Sequence, residues 1–119
     1  MAHAFHHART SARKFGGQLE DYLAVHSWFD QTQGAWADPR HQAVLHSSFG
    51  IYLCEQVFGM TIVRASDRKP VPTRLIGEQH VLDDLGRIPS MQDWLSTLPV
   101  QEWMLRGAEL NEGDAGANH

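Results

Sequence analysis

Residues 37–59 read ADPRHQAVLHSSFGIYLCEQVFG. Asp38 is suited to cap free backbone amides, and Pro39 stands where a missing N–H costs nothing. Ala43, Val44, Leu45, Phe49, Ile51, Leu53, Val57 and Phe58 supply apolar cover on more than one side. That pattern predicts a single helix from Asp38 to Gly59, central to the fold and flanked by neighbours. The same stretch carries His41, His46, Cys54 and Glu55.

Outward from it, residues 3–15 read as a first helix, with Phe5, Ala8, Ala12 and Phe15 forming a stripe. Gly16-Gly17 predicts a sharp corner. Leu19 to Gln31 reads as a second helix through Leu19, Tyr22, Leu23, His26 and Phe29 or Asp30. Trp36 is expected to pack as a lid over the core. Beyond Gly59, the β-branched run 60–63 and residues 71–74, joined through Asp67, Arg68, Lys69 and Pro70, predict a small hairpin. Pro70 and Pro72 confine its second strand to an edge. Glu78 to Leu85 reads as a helix opened by Gly77 and stopped by Gly86. Met91 to Leu95 reads as another, with Ser90 and Asp93 spaced as a capping box. A final turn over 100–105 is expected to close the bundle with Trp103 and Met104. The fold class expected is mainly α: four to five helices with a small β-hairpin. One helical domain over 1–106 and a flexible acidic tail over 107–119 complete the expectation.

A chain of 119 residues with 42% hydrophobic side chains and four tryptophans has the material for one core. No run of 18 apolar residues predicts a membrane span. The first ten residues, MAHAFHHART, lack the apolar segment of a signal peptide, which points to the cytoplasm. Cys54 is the only cysteine and reads as a small buried filler. The formal charge is -4. Setting aside Glu109, Glu112 and Asp114 leaves ten basic against eleven acidic side chains. That balance predicts no phosphate-binding footprint, and the one basic patch, Arg9, Arg13 and Lys14, reads as a solvated helix face, so nucleic acid is not an expected partner.

Four segments resemble one known family: AHAFHHARTSARKFGG, DYLAVHSWFDQT, the 37–59 stretch, and VPTRLIGEQHVLDDLGRIPSMQDWL. It is the bacterial and bacteriophage family of unknown function DUF6915, and the resemblance covers about residues 2–98. It implies a soluble prokaryotic or phage protein, with no activity to carry over.

Eight histidines are the unusual feature of the composition and point to metal or proton chemistry. His3 and His7 share a face of the first helix. His26 lies on the second helix, His41 and His46 on the third, and His80 beside Glu78 on the fourth. Helical bundles build metal sites from one ligand per helix. The ligand set expected is therefore His26, His46 and His80, with Glu78 or Glu55 as the fourth. On a continuous helix His46 and Glu55 face opposite ways, so the central helix supplies only one of them. Histidine and carboxylate suit a divalent transition metal: zinc, iron, nickel or manganese. The structural alternative makes each histidine a buried hydrogen-bonder and Glu78 a first-turn acid. No HExxH, no G-x-S-x-G and no Gly-rich phosphate loop occurs. A small hydrolase is a further reading, with His80 oriented by Asp83 or Asp84. The remaining class is a protein-interaction module, as a homodimer or with a host protein partner, built on exposed tryptophans.

Overall fold

A computed structural model describes residues 3–107. Its first helix, α1 (Ala4–Phe15), buries His7, Ala8 and Ser11 on one stripe. Gly16 and Gly17 then take positive φ of 92° and 81°, turning the chain as their sequence predicts. A 3₁₀ turn (Leu19–Asp21) leads into α2 (Leu23–Phe29). The second helix is thus shorter than the Leu19–Gln31 reading. Tyr22 is the N-cap at one end, with its hydroxyl donating to the Gly16 carbonyl at 2.5 Å. Asp30 ends the helix at φ −94°, ψ 2°, in the sparsely populated bridge region.

The predicted helix 38–59 is two pieces. Asp38 does cap a helical turn, accepting from the Arg40 N–H at 2.9 Å, but that turn is a 3₁₀ segment (Pro39–Gln42). The chain breaks over 43–47, and α3 (Ser48–Phe58) starts afresh. Two local features force the break. Ser47 is an N-cap whose Oγ accepts from the Gly50 N–H at 3.0 Å. The Leu45 carbonyl folds so tightly onto Gly50 that a Cβ there would lie 1.9 Å from it. The hairpin is present: β1 (Thr61–Val63) pairs antiparallel with β2 (Pro70–Pro72), Ile62 opposite Val71.

Helix α4 (Thr73–Leu85) begins four residues before Gly77, which lies inside it. A Cβ at Gly77 would meet Phe29 Cζ at 3.1 Å and Ile51 Cγ2 at 3.3 Å. The glycine therefore serves close approach of α2 and α3 to α4, not a break. Helix α5 (Met91–Leu95) carries the predicted Ser90–Asp93 capping box. Among the described residues there are five α-helices and one hairpin, a mainly helical fold.

The apolar core comprises Ala8, Tyr22, Val25, Phe29, Leu45, Ile51, Cys54, Val71, Ile76 and Val81. Cys54 is fully buried, as expected of a filler, and burial pushes its thiol up to about 12, with Glu55 adding. Two tryptophans depart from expectation. Trp36 is 54% exposed, because its indole N–H is satisfied by Asp38 at 3.0 Å and Arg40 stacks on its ring. Trp103 is 73% exposed and does not close the bundle. The acidic tail expected over 107–119 lies, from residue 108, outside the described residues.

Candidate metal centre

Four of the buried polar residues are histidines: His7, His26, His46 and His80. A buried imidazole needs partners for its nitrogens, and the helices supply them. Polar side chains four residues apart share a helix face. His7 and Ser11 do so on α1, and His80 and Asp84 on α4, as do Gln79 and Asp83. His26 on α2 is followed four residues later by Asp30, whose bridge-region backbone turns its carboxylate toward α4. The 43–47 break swings His46 inward, and its carbonyl accepts from the Trp94 indole N–H at 2.9 Å.

Two groups of ligand atoms result, each with members within 4.8 Å of one another: Asp30, His46, His80 and Asp84; and His7, His26 and His80. In the first, His80 Nε2 lies 3.1 Å from Asp30 Oδ1 and 3.3 Å from Asp84 Oδ2. His46 Nε2 lies 2.9 Å from Asp84 Oδ2. The Asp84 side chain is 1% exposed and that of Asp30 11%. Such a cluster of histidine and aspartate could hold a divalent metal ion. A cavity of about 330 Å³, lined by Trp36, His41, Gln42 and Asp84 among others, opens against its edge.

The second group is tied up in hydrogen bonds. His7 donates from Nδ1 to Asp83 and from Nε2 to Asp84 Oδ1, both at 3.1 Å. Burial alone would lower His7, but hydrogen bonds to Asp84 and Asp83 outweigh it and raise it, favouring an imidazolium. His26 Nδ1 lies 2.8 Å from His80 Nδ1, and His26 Nε2 lies 2.6 Å from Ser11 Oγ. Burial, with the neighbouring His80 and His7, drives His26 down to about 2. Burial likewise lowers His46 despite its bond to Asp84. Burial would raise Asp84, yet the imidazoles of His46, His7 and His80 hold its carboxyl far below the usual carboxylate range.

Of the residues singled out in the sequence, His26 and His46 each reach His80, but they fall in different groups. Glu78 and Glu55 belong to neither group. Glu78 points outward and pairs with Arg74 at 3.2 Å. Glu55 lies on α3, whose start after His46 separates the two. Sequence reading passed over His7, Asp30 and Asp84 as ligand candidates. The signal available for the two aspartates was spacing: each stands four residues after a histidine singled out already.

Among the described residues no helix is long and apolar enough to cross a membrane. The family model described as a domain of unknown function, DUF6915, matches residues 2–104. No curated protein and no solved structure matches the chain.

Proposed function

We propose, from the premise that the chain belongs to the DUF6915 family and inherits no activity from it, that it binds one divalent transition metal ion. The ligands are Asp30, His46, His80 and Asp84. One observation carries this reading: four donor atoms from α2's end, the 43–47 turn and α4 lie within 4.8 Å of one another at a largely buried point. With metal–ligand bonds of about 2.1 Å, tetrahedral geometry places ligand atoms about 3.4 Å apart. Three of the six separations, at 2.9, 3.1 and 3.3 Å, are close to that, and all lie within 4.8 Å. The two aspartates take the place that Glu78 and Glu55 hold in the sequence-based set, while His26 stands behind His80. Nitrogen and oxygen donors without thiolate fit zinc, iron, nickel or manganese.

The test is elemental analysis of untagged protein purified without chelator. About one equivalent of a transition metal is expected, lost in His46→Ala and in Asp84→Asn. Metal no higher than trace in the wild type, with the fold unchanged by chelator, would overturn the reading and leave the histidines as structural hydrogen-bonders.

A further inference from the structure

Residues 31–42 arch from the end of α2 to the 43–47 turn, and both feet of the arch are tied to α4. Asp30 Oδ1 lies 3.1 Å from His80 Nε2 at one foot, and His46 Nε2 lies 2.9 Å from Asp84 Oδ2 at the other. Within the arch, a 3₁₀ turn (Gln31–Gly34) and the Pro39–Gln42 turn are joined where Thr32 Oγ1 lies 3.2 Å from His41 Nδ1. The cavity of about 330 Å³ lies between this arch and the end of α4, with Asp84 and Leu85 as the opposite wall. That volume is at the lower end of the range for small-molecule sites. An arch held at three points keeps the cavity open before any ligand arrives, which lowers the ordering cost of binding.

The walls offer no fixed counter-charge. Among the described residues no lysine or arginine lines the cavity. Asp38 lines it, but its carboxylate accepts from the Arg40 guanidinium at 3.0 and 2.7 Å and from the Trp36 indole N–H at 3.0 Å. Asp84 turns its carboxylate inward: the side chain is 1% exposed, with ring nitrogens of His7, His46 and His80 at 2.9–3.3 Å. Trp36, Pro39 and Leu85 supply apolar surface, and Gln33 and Gln42 are amides, which both donate and accept hydrogen bonds. A charged ligand would leave water here without a partner of opposite sign, which is costly. A neutral one escapes that cost and gains both kinds of contact.

We infer that this cavity binds a small uncharged molecule with a flat ring and an amide-like polar edge. The ring packs against Trp36, Pro39 and Leu85, and the edge hydrogen-bonds toward Gln33 and Gln42. The exposure of Trp36 fits this role, since Asp38 holds its indole N–H and fixes a large ring in position outside the core. The cavity is bounded by the arch and α4 whether or not an ion joins them, so this site stands apart from the metal reading.

Three probes that share one ring and differ in charge test this: benzamide, uncharged; benzoate, an anion; and benzamidine, a cation. Each is titrated into the full chain and followed by proton–nitrogen correlation NMR of the Trp36 indole and the Gln33 and Gln42 amides. The titrations are run with and without zinc, whose uptake is read by competition with a chromophoric chelator. Benzamide is expected to give saturable shifts at all three reporters with a Kd on the order of 1 mM, the scale for so small a molecule. Benzoate and benzamidine are expected to bind about tenfold more weakly or worse, for want of a counter-charge. Trp36→Ala should weaken benzamide about 3–10-fold, read at the two glutamines, and Trp36→Phe should restore it. No saturable benzamide shift in either zinc state would overturn the inference. So would benzoate or benzamidine binding as tightly as benzamide, or a folded Trp36→Ala protein that binds benzamide like the wild type. A protein that takes up no zinc gives two coincident titrations, so failure of the metal reading and failure of this one are separate results.

Discussion

At the scale of single residues, the centre is a set of imidazoles pushed in opposite directions. His26 and His46 are held below their ordinary value by burial, whereas His7 is raised because its carboxylate bonds outweigh burial. The consequences for stability have opposite signs. A lowered histidine is neutral in the folded chain and takes up a proton on unfolding below about pH 6.5, so acid destabilises the fold. The raised His7 contributes stability that is complete below that pH and lost as pH rises through its folded value. Two lowered groups outweigh one raised group. The carboxyl of Asp84, far below its ordinary value, adds a further loss as pH falls through the range below about 4. The groups facing His26 are Ser11, His7 and His80, with Asp84 behind them. Urea unfolding of metal-free protein is expected to show stability falling from pH 7 to pH 5. The slope approaches about 1.4 kcal/mol per pH unit for each neutral buried histidine. His26→Phe should reduce that slope by one group's share. A profile flat between those pH values would contradict the burial-driven shift of His26.

At the scale of elements, the 43–47 break decides where His46 points. It depends on Gly50, where a Cβ would strike the Leu45 carbonyl at 1.9 Å. Gly50→Ala is expected to cost about 1–3 kcal/mol by forcing this turn apart. It should also weaken zinc binding, because His46 moves with the turn. Gly34→Ala is the control, since nothing lies within 4 Å of a Cβ there. Thermal melts and the zinc competition assay on both variants check this. Equal behaviour of the two would mean that the turn does not hold His46. The same break shows where the sequence was legible and where it was not. The α1 stripe, the Gly16-Gly17 corner, the hairpin and the α5 capping box are local patterns with one reading each, and all are present. Residues 43–58 have helical composition throughout, so periodicity carries across the break. What interrupts the helix is a close backbone approach at Gly50 together with the Ser47 cap, and steric contact of that kind leaves no period. Gly77 was misread for the complementary reason. A glycine demanded by helix packing looks the same in sequence as one that ends a helix. Asp30 and Asp84 were passed over as ligands because an acid at a helix end is ordinarily solvated. Their proposed role depends on bridge-region geometry at Asp30 and on burial at Asp84, which only the fold supplies.

At the scale of the molecule, the proposed ligands connect segments that are distant in sequence. Any ion that binds the folded form and not the unfolded one stabilises by mass action, about 2.7 kcal/mol at a free concentration of one hundred times Kd. For a chain of this size that is a rise in Tm of about 10 °C. Calorimetry of metal-free protein with and without zinc measures it, with magnesium as the control ion that the imidazole donors disfavour. An unchanged Tm at saturating zinc would show that the four donors do not act as one site.

The hydrogen bond from His7 to Asp84 spans 77 positions. Synthesis runs from the N-terminus, so a nascent chain displays His7, His26 and His46 well before the residue that gathers them exists. Until Asp84 has left the ribosome, those imidazoles are separate weak donors on an unfinished chain. For the proposed site, loading of an ion would therefore follow translation of α4, timed by chain closure and not by the first ligand to emerge.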